Sequence, residues 1–292
     1  MNAHEAPLTL RLHGWSRPAG RDAARRELDV VRRLLTPSQY LRYSLIPGAL
    51  YALARSIRVW NRGEPELKLL PFLVDPHRNA VDVGANKGTY AAHLARCCRH
   101  VYAYEPNPAM RWILRRLAPF NVTVLSRALS DRGGEATLQI PCRLGLCSNN
   151  TGTLRRTNVA ENCETVRVVQ SRLDDEGLTD VGFVKIDVEG LEQEVLRGAR
   201  QLIERDRPIL LIEIIAEHTG RPVEETIRFV EELGYRALAI HDGRLSDWNV
   251  VRRDRDRLAR AGRPLIRLRN FLFLPTDVDG LRSRISNWRP QI

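Results

Sequence analysis

Five acids stand out by where they fall. Asp82 interrupts the short apolar run 80–83, and Glu105 terminates the run 101–104. Asp187 and Glu189 follow the run 183–186, and Glu213 follows the run 208–212. A carboxylate at the end of a buried strand can accept hydrogen bonds from hydroxyls, take a proton as a general base, or ligate a cation. Between the first two acids lies Gly84-Ala85-Asn86-Lys87-Gly88, and Glu105 stands 21 residues after Gly84. Glycines there let a ligand touch the backbone, and an acid at that distance can receive both hydroxyls of a ribose.

The elements that must position these residues follow from the spacing of apolar side chains. Tyr90, Ala91, Leu94, Ala95 and Cys98 recur at helical intervals. The order is therefore strand, glycine turn, helix, strand, acid, which makes a nucleoside-binding βαβ unit. A dinucleotide fingerprint would need a glycine where Ala85 and Asn86 stand, and a P-loop would need its lysine after the second glycine, whereas Lys87 precedes Gly88. Asp-x-Gly-x-x-x-Gly with a later acid is instead the pattern associated with S-adenosylmethionine. Its ribose takes the acid, and its methionine end brings only a small ammonium and carboxylate. An ordinary strand-to-helix turn with packing glycines would use the same residue types.

Three blocks carry a resemblance: Asp82-Val-Gly-Ala-Asn-Lys-Gly88; Tyr104-Glu-Pro-Asn-Pro108; and Val184-Lys-Ile-Asp-Val-Glu-Gly-Leu-Glu192. Val195-Leu-Arg-Gly-Ala199 and Pro208-Ile-Leu-Leu-Ile-Glu213 follow in the same order. The chain resembles the FkbM-type methyltransferases over residues 63–274. That resemblance implies a class I methyltransferase (Rossmann-like) α/β fold with a seven-stranded, mostly parallel sheet. It also implies S-adenosylmethionine as cofactor and methylation of hydroxyl oxygens, commonly of sugars or secondary metabolites. Cofactor-binding residues are then expected at Asp82, Gly84, Ala85, Asn86, Gly88, Glu105, Ala128 and Asp187. Residues 1–62 fall outside the resemblance and read as a basic N-terminal helical extension to a methyltransferase domain at 63–292.

Composition limits the alternatives. The chain has 292 residues, 43% of them hydrophobic, so it can bury a sizeable core. No run approaches ~18 apolar residues, so no membrane span is expected, and the start Met-Asn-Ala-His-Glu-Ala-Pro lacks the charge and apolar core of an export signal. A cytoplasmic chain is expected, with peripheral contact at the inner membrane face left open by the pattern 49–59. The five cysteines make an odd count without a disulfide framework, and reduced structural thiols are expected over a zinc site at Cys142, Cys147 and Cys163. The net charge of +11 is concentrated in the flanks: residues 1–62 and 244–292 each carry +7, and 63–243 carry −3. Such flanks could steer an acidic partner. The chain also uses arginine almost everywhere it needs a base, with lysine only at 68, 87 and 185.

Helical patterns are expected over 22–35, ended by Thr36-Pro37, and over 49–59, 64–73, 108–117, 193–203 and 223–233. The turn 127–131, at the carboxyl end of a strand 122–125, is the candidate edge for adenine, through Ala128. Residues 141–163 read as a long polar loop whose Ser148, Asn149 and Asn150 are candidate acceptor contacts. The segment 165–169 reads as a strand returning to the sheet, and 247–263 as a solvated helix or loop.

Asp187, Glu189 and Glu213 emerge at adjacent strand ends on the rim that holds Gly84 and Glu105. Asp187 is the first candidate for an active-site role. Glu189 and Glu213 are candidate bases or ligands of a divalent cation such as Mg²⁺, and His218 is an outlying candidate base. The expected acceptor is a saccharide or natural product. An RNA methyltransferase is favoured only by the basic flanks, and no RNA-binding module or aromatic-rich basic stretch is present, so nucleic acid is not the expected partner. A non-catalytic S-adenosylmethionine-binding protein and a nicotinamide-dependent oxidoreductase are the remaining rivals.

Overall fold

A computed structural model of the chain describes residues 20–45, 64–143, 146–147, 153–154, 163–241, 244–261 and 268–277. Its first strands are β1 (Asn79–Val83), β2 (His100–Tyr104), β3 (Val122–Leu125), β4 (Arg127–Leu129), β5 (Gly134–Arg143) and β6 (Leu146–Cys147). Then follow β7 (Cys163–Ser171), β8 (Val181–Ile186), β9 (Ile209–Glu213), β10 (Tyr235–His241), β11 (Arg244–Asp247) and β12 (Asn270–Pro275). One sheet has the order β11-β10-β12-β9-β8-β1-β2-β3. Strands β3, β2, β1, β8 and β9 run parallel, and β12 returns antiparallel between β9 and β10. This is an α/β fold with a large, mostly parallel sheet. The short strand β11 pairs with β10 at the edge and makes eight strands, one more than expected.

Both faces of the sheet are covered, which explains why β1 and β8 are buried at every position. Val81, Val184, Ile186 and Leu210 belong to one core with Val195 and Leu196 of the helix Glu192–Gly198. Ala80, Phe183 and Leu211 belong to the other, with Leu67, Leu70 and Leu94. Asp82 and Lys185 are partners in register on adjacent strands, so two charged residues lie side by side in the middle of the sheet. Because the central strands are parallel, their carboxyl ends open on one rim. That rim carries Gly84, Glu105, Asp187 and Glu213.

A second sheet, β4-β7-β5-β6, stands beside the first. A third core fills the space under it, where Leu138, Ile140 and Val168 meet Ala109, Met110 and Ile113 of the helix Pro108–Leu117. Val31, Leu34, Leu35 and Tyr43 close this core from the N-terminal side. Val31, Leu34 and Leu35 are spaced to share one face of the helix Gly20–Leu34 and its end. The next helix, Pro37–Leu45, starts with a reciprocal cap: the Gln39 N–H donates to Thr36 Oγ1 at 3.2 Å and the Thr36 N–H donates to Gln39 Oε1 at 3.1 Å. Proline at the first helical position suits that start.

Several expectations change. The segment around 165–169 does not return to the main sheet; β7 pairs with β4 and β5 in the second one, because its alternating pattern suits a sheet with one covered face. Residues 127–129 form β4 rather than a bare turn. Part of the long loop is strand, since β5 extends to Arg143 and β6 pairs back on it. That pairing sets Cys142 opposite Cys147, and the two form a disulfide, which corrects the expectation of five reduced thiols. Cys97, Cys98 and Cys163 are free. The helix expected over 193–203 breaks at Ala199 into Glu192–Gly198 and Arg200–Asp206. Gly198 lies against the second sheet, where a Cβ would sit 1.9 Å from the Ser130 carbonyl oxygen. Residues 247–263 contain the helix Trp248–Arg260. The segment 49–59, the proposed boundary at residue 62, and Ser148, Asn149 and Asn150 lie outside the described residues. Among the described residues, no helix is long and apolar enough to cross a membrane.

Candidate active site

The glycine turn is built by close contact between strand ends. Gly84 takes φ +77°, and a Cβ there would lie 1.8 Å from the Asp187 carbonyl oxygen. Glycine alone permits both that backbone conformation and that approach. The N–H groups of Gly84 and Ala85 both donate to the Tyr104 carbonyl oxygen at 3.0 Å, which ties the turn to the end of β2. The turn then presents the Asn86 N–H to Glu105 Oε2 at 2.7 Å, while the Asn107 N–H donates to Glu105 Oε1 at 2.7 Å. The Asn107 side chain in turn caps the helix Pro108–Leu117, accepting from the Ala109 N–H at 3.0 Å. Burial pushes the Glu105 carboxyl up to about 7, against the pull of these two amides and of Arg111.

Glu105 and Asn86 line one end of a cavity of about 200 Å³. Ala128, Leu129, Leu138 and Leu154 give it an apolar wall, and Asp187, Glu189 and Glu213 line its other end. A buried acid, an apolar wall and a glycine turn around one cavity suit a nucleoside with a polar tail.

The far end is built differently. Asp187 is the first residue beyond β8, its N–H donating to the Val83 carbonyl oxygen at 3.0 Å and its side chain 36% exposed. Lys185 Nζ lies 3.7 Å from Asp187 Oδ2 and 4.9 Å from the centre of the Tyr90 ring, with the lysine side chain only 1% exposed. Glu213 lies within side-chain hydrogen-bonding reach of Asp187. Burial and then the charge of Asp187 push Glu213 up to about 8. Glu189 is pushed up to about 7 by burial and by the charges of Asp187 and Glu192. Glu189 takes φ +53°, and His218 Nδ1 stands 2.6 Å from Glu189 Oε2.

The loop 187–190 is pressed onto the helix Ala216–Thr219 that carries His218. A Cβ on Gly190, which takes φ +102°, would lie 2.6 Å from the His218 carbonyl oxygen. From the other side, Thr153 Oγ1 donates to the Glu189 carbonyl oxygen at 3.1 Å, fixing the neighbour of Leu154 to the same loop. Among the described residues, no three His, Cys, Asp or Glu side chains converge as a metal site requires.

Of the expected site residues, Gly84, Asn86, Glu105, Ala128, Asp187, Glu189 and Glu213 line the cavity. Ala85 and Gly88 shape the turn from outside it. Gly88 opens the helix Thr89–Leu94, at φ +80°, where a Cβ would come 2.3 Å from Leu114 Cδ1. Asp82 lies below the lining, 2% exposed, and burial pushes its carboxyl up to about 7 while Lys185 pulls it down. His218 reaches the site through Glu189. Sequence spacing gave no sign of Leu138, on β5, or of Leu154, which follows the Thr153 that bridges to Gln139 of β5. Lys185 was visible as the one charge in a buried strand. That Asp187, the Tyr90 ring and Asp82 of the adjacent strand would surround it was not.

Residues 82–237 match the Methyltransferase FkbM domain, a little over half of the 292-residue chain. No curated protein matches the sequence. Among solved structures, the methyltransferase FkbM of Methylobacillus flagellatus KT is similar at 17% identity and a TM-score of 0.44, over 86% of this chain and 58% of that one. This chain thus spans well under two thirds of that protein's length. A precorrin 8w decarboxylase from Methanobacterium thermoautotrophicum shares 14% identity at a TM-score of 0.40, over 72% of this chain and 88% of that one. A Streptococcus mutans protein in complex with SAH shares 12% identity at a TM-score of 0.40, over 71% and 93%. Likenesses this distant say nothing about chemistry, and the domain match carries the assignment. The chain belongs to the FkbM methyltransferase domain family.

Proposed function

We propose that this methyltransferase uses S-adenosylmethionine to methylate a hydroxyl oxygen of a sugar in a glycan, a glycolipid or a glycosylated natural product. The observation that carries the reading is the contrast between the two ends of the cavity. Glu105, held by two backbone amides, suits a ribose diol. Asp187, Glu189 and Glu213 offer a surface of acceptors to a ligand rich in hydroxyl donors. The same acids would repel the phosphates of a nucleic acid.

S-adenosylmethionine supplies an electrophilic methyl group on a sulfonium. The residues of the chain must hold the acceptor oxygen in line with it and take the hydroxyl proton as the new bond forms. Glu189, raised to about 7, is a stronger base than an ordinary carboxylate and still ionises near neutral pH. His218, against Glu189 Oε2, can orient it and share the proton. The O–CH₃ bond forms as the S–CH₃ bond breaks, the proton passes to the Glu189–His218 pair, and the products are a methyl ether and S-adenosylhomocysteine. Activation by a divalent cation at the same carboxylates is the alternative. The geometry favours the base, because His218 already occupies an oxygen of Glu189 that a cation would need.

Incubation with methyl-labelled S-adenosylmethionine and a cell extract, followed by separation into nucleic acid, protein, and saccharide or lipid fractions, tests this. Label is expected in the saccharide or lipid fraction. Label confined to RNA would overturn the acceptor class and restore the basic flanks as the guide to function.

A further inference from the structure

The helix Gly20–Leu34 lies outside residues 82–237, yet two side chains connect it to the ribose end of the cavity. Arg111, on the helix Pro108–Leu117, is 8% exposed. Its Nη1 donates to the Pro106 carbonyl oxygen at 2.9 Å and to that of Glu105 at 3.4 Å, so it grips the backbone that bears the Glu105 carboxylate. Its Nε and Nη2 both donate to Glu27 Oε1, at 3.3 and 2.7 Å. Glu27 belongs to the helix Gly20–Leu34, which is seated independently by Val31 and Leu34 in the third core. Arg115 reaches the same Glu27 oxygen from the exposed side at 3.5 Å.

The guanidinium of Arg111 therefore stands between two carboxylates and contacts only one. A cation this deeply buried needs a counter-charge, since an unpaired one bears most of its desolvation cost. Glu27 supplies that charge and is not among the residues that line the cavity. Without it, Glu105 is a carboxylate within electrostatic reach of Arg111. Arg111 would then be drawn toward the oxygens that a ribose diol must use.

We infer that Glu27 is a positioning residue of the cofactor site: it holds Arg111 on the carbonyls of Glu105 and Pro106, and so leaves the lone pairs of the Glu105 carboxylate not taken by the Asn86 and Asn107 amides to the two ribose hydroxyls. Cofactor affinity thus depends on a helix outside the matched domain. The inference rests on the reading of the cavity as the S-adenosylmethionine site.

The test is calorimetric titration of S-adenosylhomocysteine and of its 2′,3′-dideoxy analogue into the full chain and its variants. The wild type should prefer the ligand with both hydroxyls. Glu27→Gln should weaken S-adenosylhomocysteine by about tenfold, as expected for coupled neighbours, and leave the dideoxy analogue nearly unchanged, so that the preference shrinks. In an Arg111→Met background, Glu27→Gln should have no further effect on the preference, and Arg115→Ala should keep the wild-type preference. An unchanged preference in Glu27→Gln, or equal weakening of both ligands, would overturn the inference while leaving the cavity assignment in place. A wild type that binds neither ligand would overturn both.

Discussion

The two ends of the cavity use the same kind of side chain in opposite ways. At the end proposed for the ribose, Glu105 has each oxygen matched to a backbone N–H, at 2.7 Å in both cases, and Arg111 braces the backbone beneath it. At the end proposed for the acceptor, the charge of Asp187 acts on both Glu189 and Glu213, with Lys185 3.7 Å from Asp187. Donors fixed by the fold make a carboxylate a binding group. Carboxylates that are partly buried beside a further negative charge make stronger proton acceptors, as burial and then the charge of Asp187 raise Glu189 and Glu213. The lesson is that the neighbours, more than the acid, assign the role.

The sharpest way to break that comparison is Glu189→Gln. Loss of a general base costs about 10²–10⁴-fold in turnover, whereas binding of S-adenosylhomocysteine, measured by calorimetry, should stay near wild type. In the wild type, kcat/KM should rise with pH through about 7 as the Glu189 carboxyl ionises, and in the variant this rise should flatten. A parallel loss of cofactor affinity would show that the two ends are not separable.

Stability against pH gives a second measure. Asp82 and Glu105 are buried, and both carboxyls are raised to about 7. In the unfolded chain they ionise at ordinary carboxylate values, so between those values and 7 the native state binds more protons. Their contribution is complete below the unfolded pKa and is lost as pH rises through the folded one. Each tenfold difference in acidity between the folded and unfolded chain is worth roughly 1.4 kcal/mol. Urea unfolding of the ligand-free protein should therefore show stability falling between about pH 5.5 and 8.5 by about 2–4 kcal/mol. Glu189 and Glu213 act in the same direction and contribute less, being partly exposed. A curve flat over that range would mean that the acids stay ionised and that Lys185 outweighs burial.

How far this was legible in the sequence follows from the reach of each signal. The glycine turn, the strand ends and the acids of the main sheet are set by local spacing, and they fall where that spacing puts them. The exchange of residues 163–171 to a second sheet is a long-range pairing, with Glu135 opposite Val169, that no local pattern encodes. With it went Leu138 and Leu154 in the cavity wall and the Cys142–Cys147 disulfide. His218 was marginal in sequence because it stands 29 residues beyond Glu189; the close approach of Gly190 to the His218 backbone sets the two segments side by side. Position along a strand announces an acid, but the partner that sets its chemistry arrives from elsewhere in the chain.

The smallest of the expected effects tests the ribose end alone. Glu105→Gln keeps the size and one acceptor of the side chain and removes its charge. Charge-assisted hydrogen bonds to the ribose hydroxyls are worth about 1.5–3 kcal/mol, part of which a neutral amide retains. The Kd for S-adenosylhomocysteine should rise by about tenfold, read by calorimetry. The fold should not suffer in proportion: burial already disfavours the charged form of Glu105, so a neutral side chain removes a cost above pH 7. Urea midpoints at about pH 8.5 should be equal to or higher than those of the wild type. Weaker binding together with unchanged or higher stability would identify Glu105 as a group kept for its ligand. A fall in both would mean that its two backbone hydrogen bonds, and not the ribose, are the reason it is there.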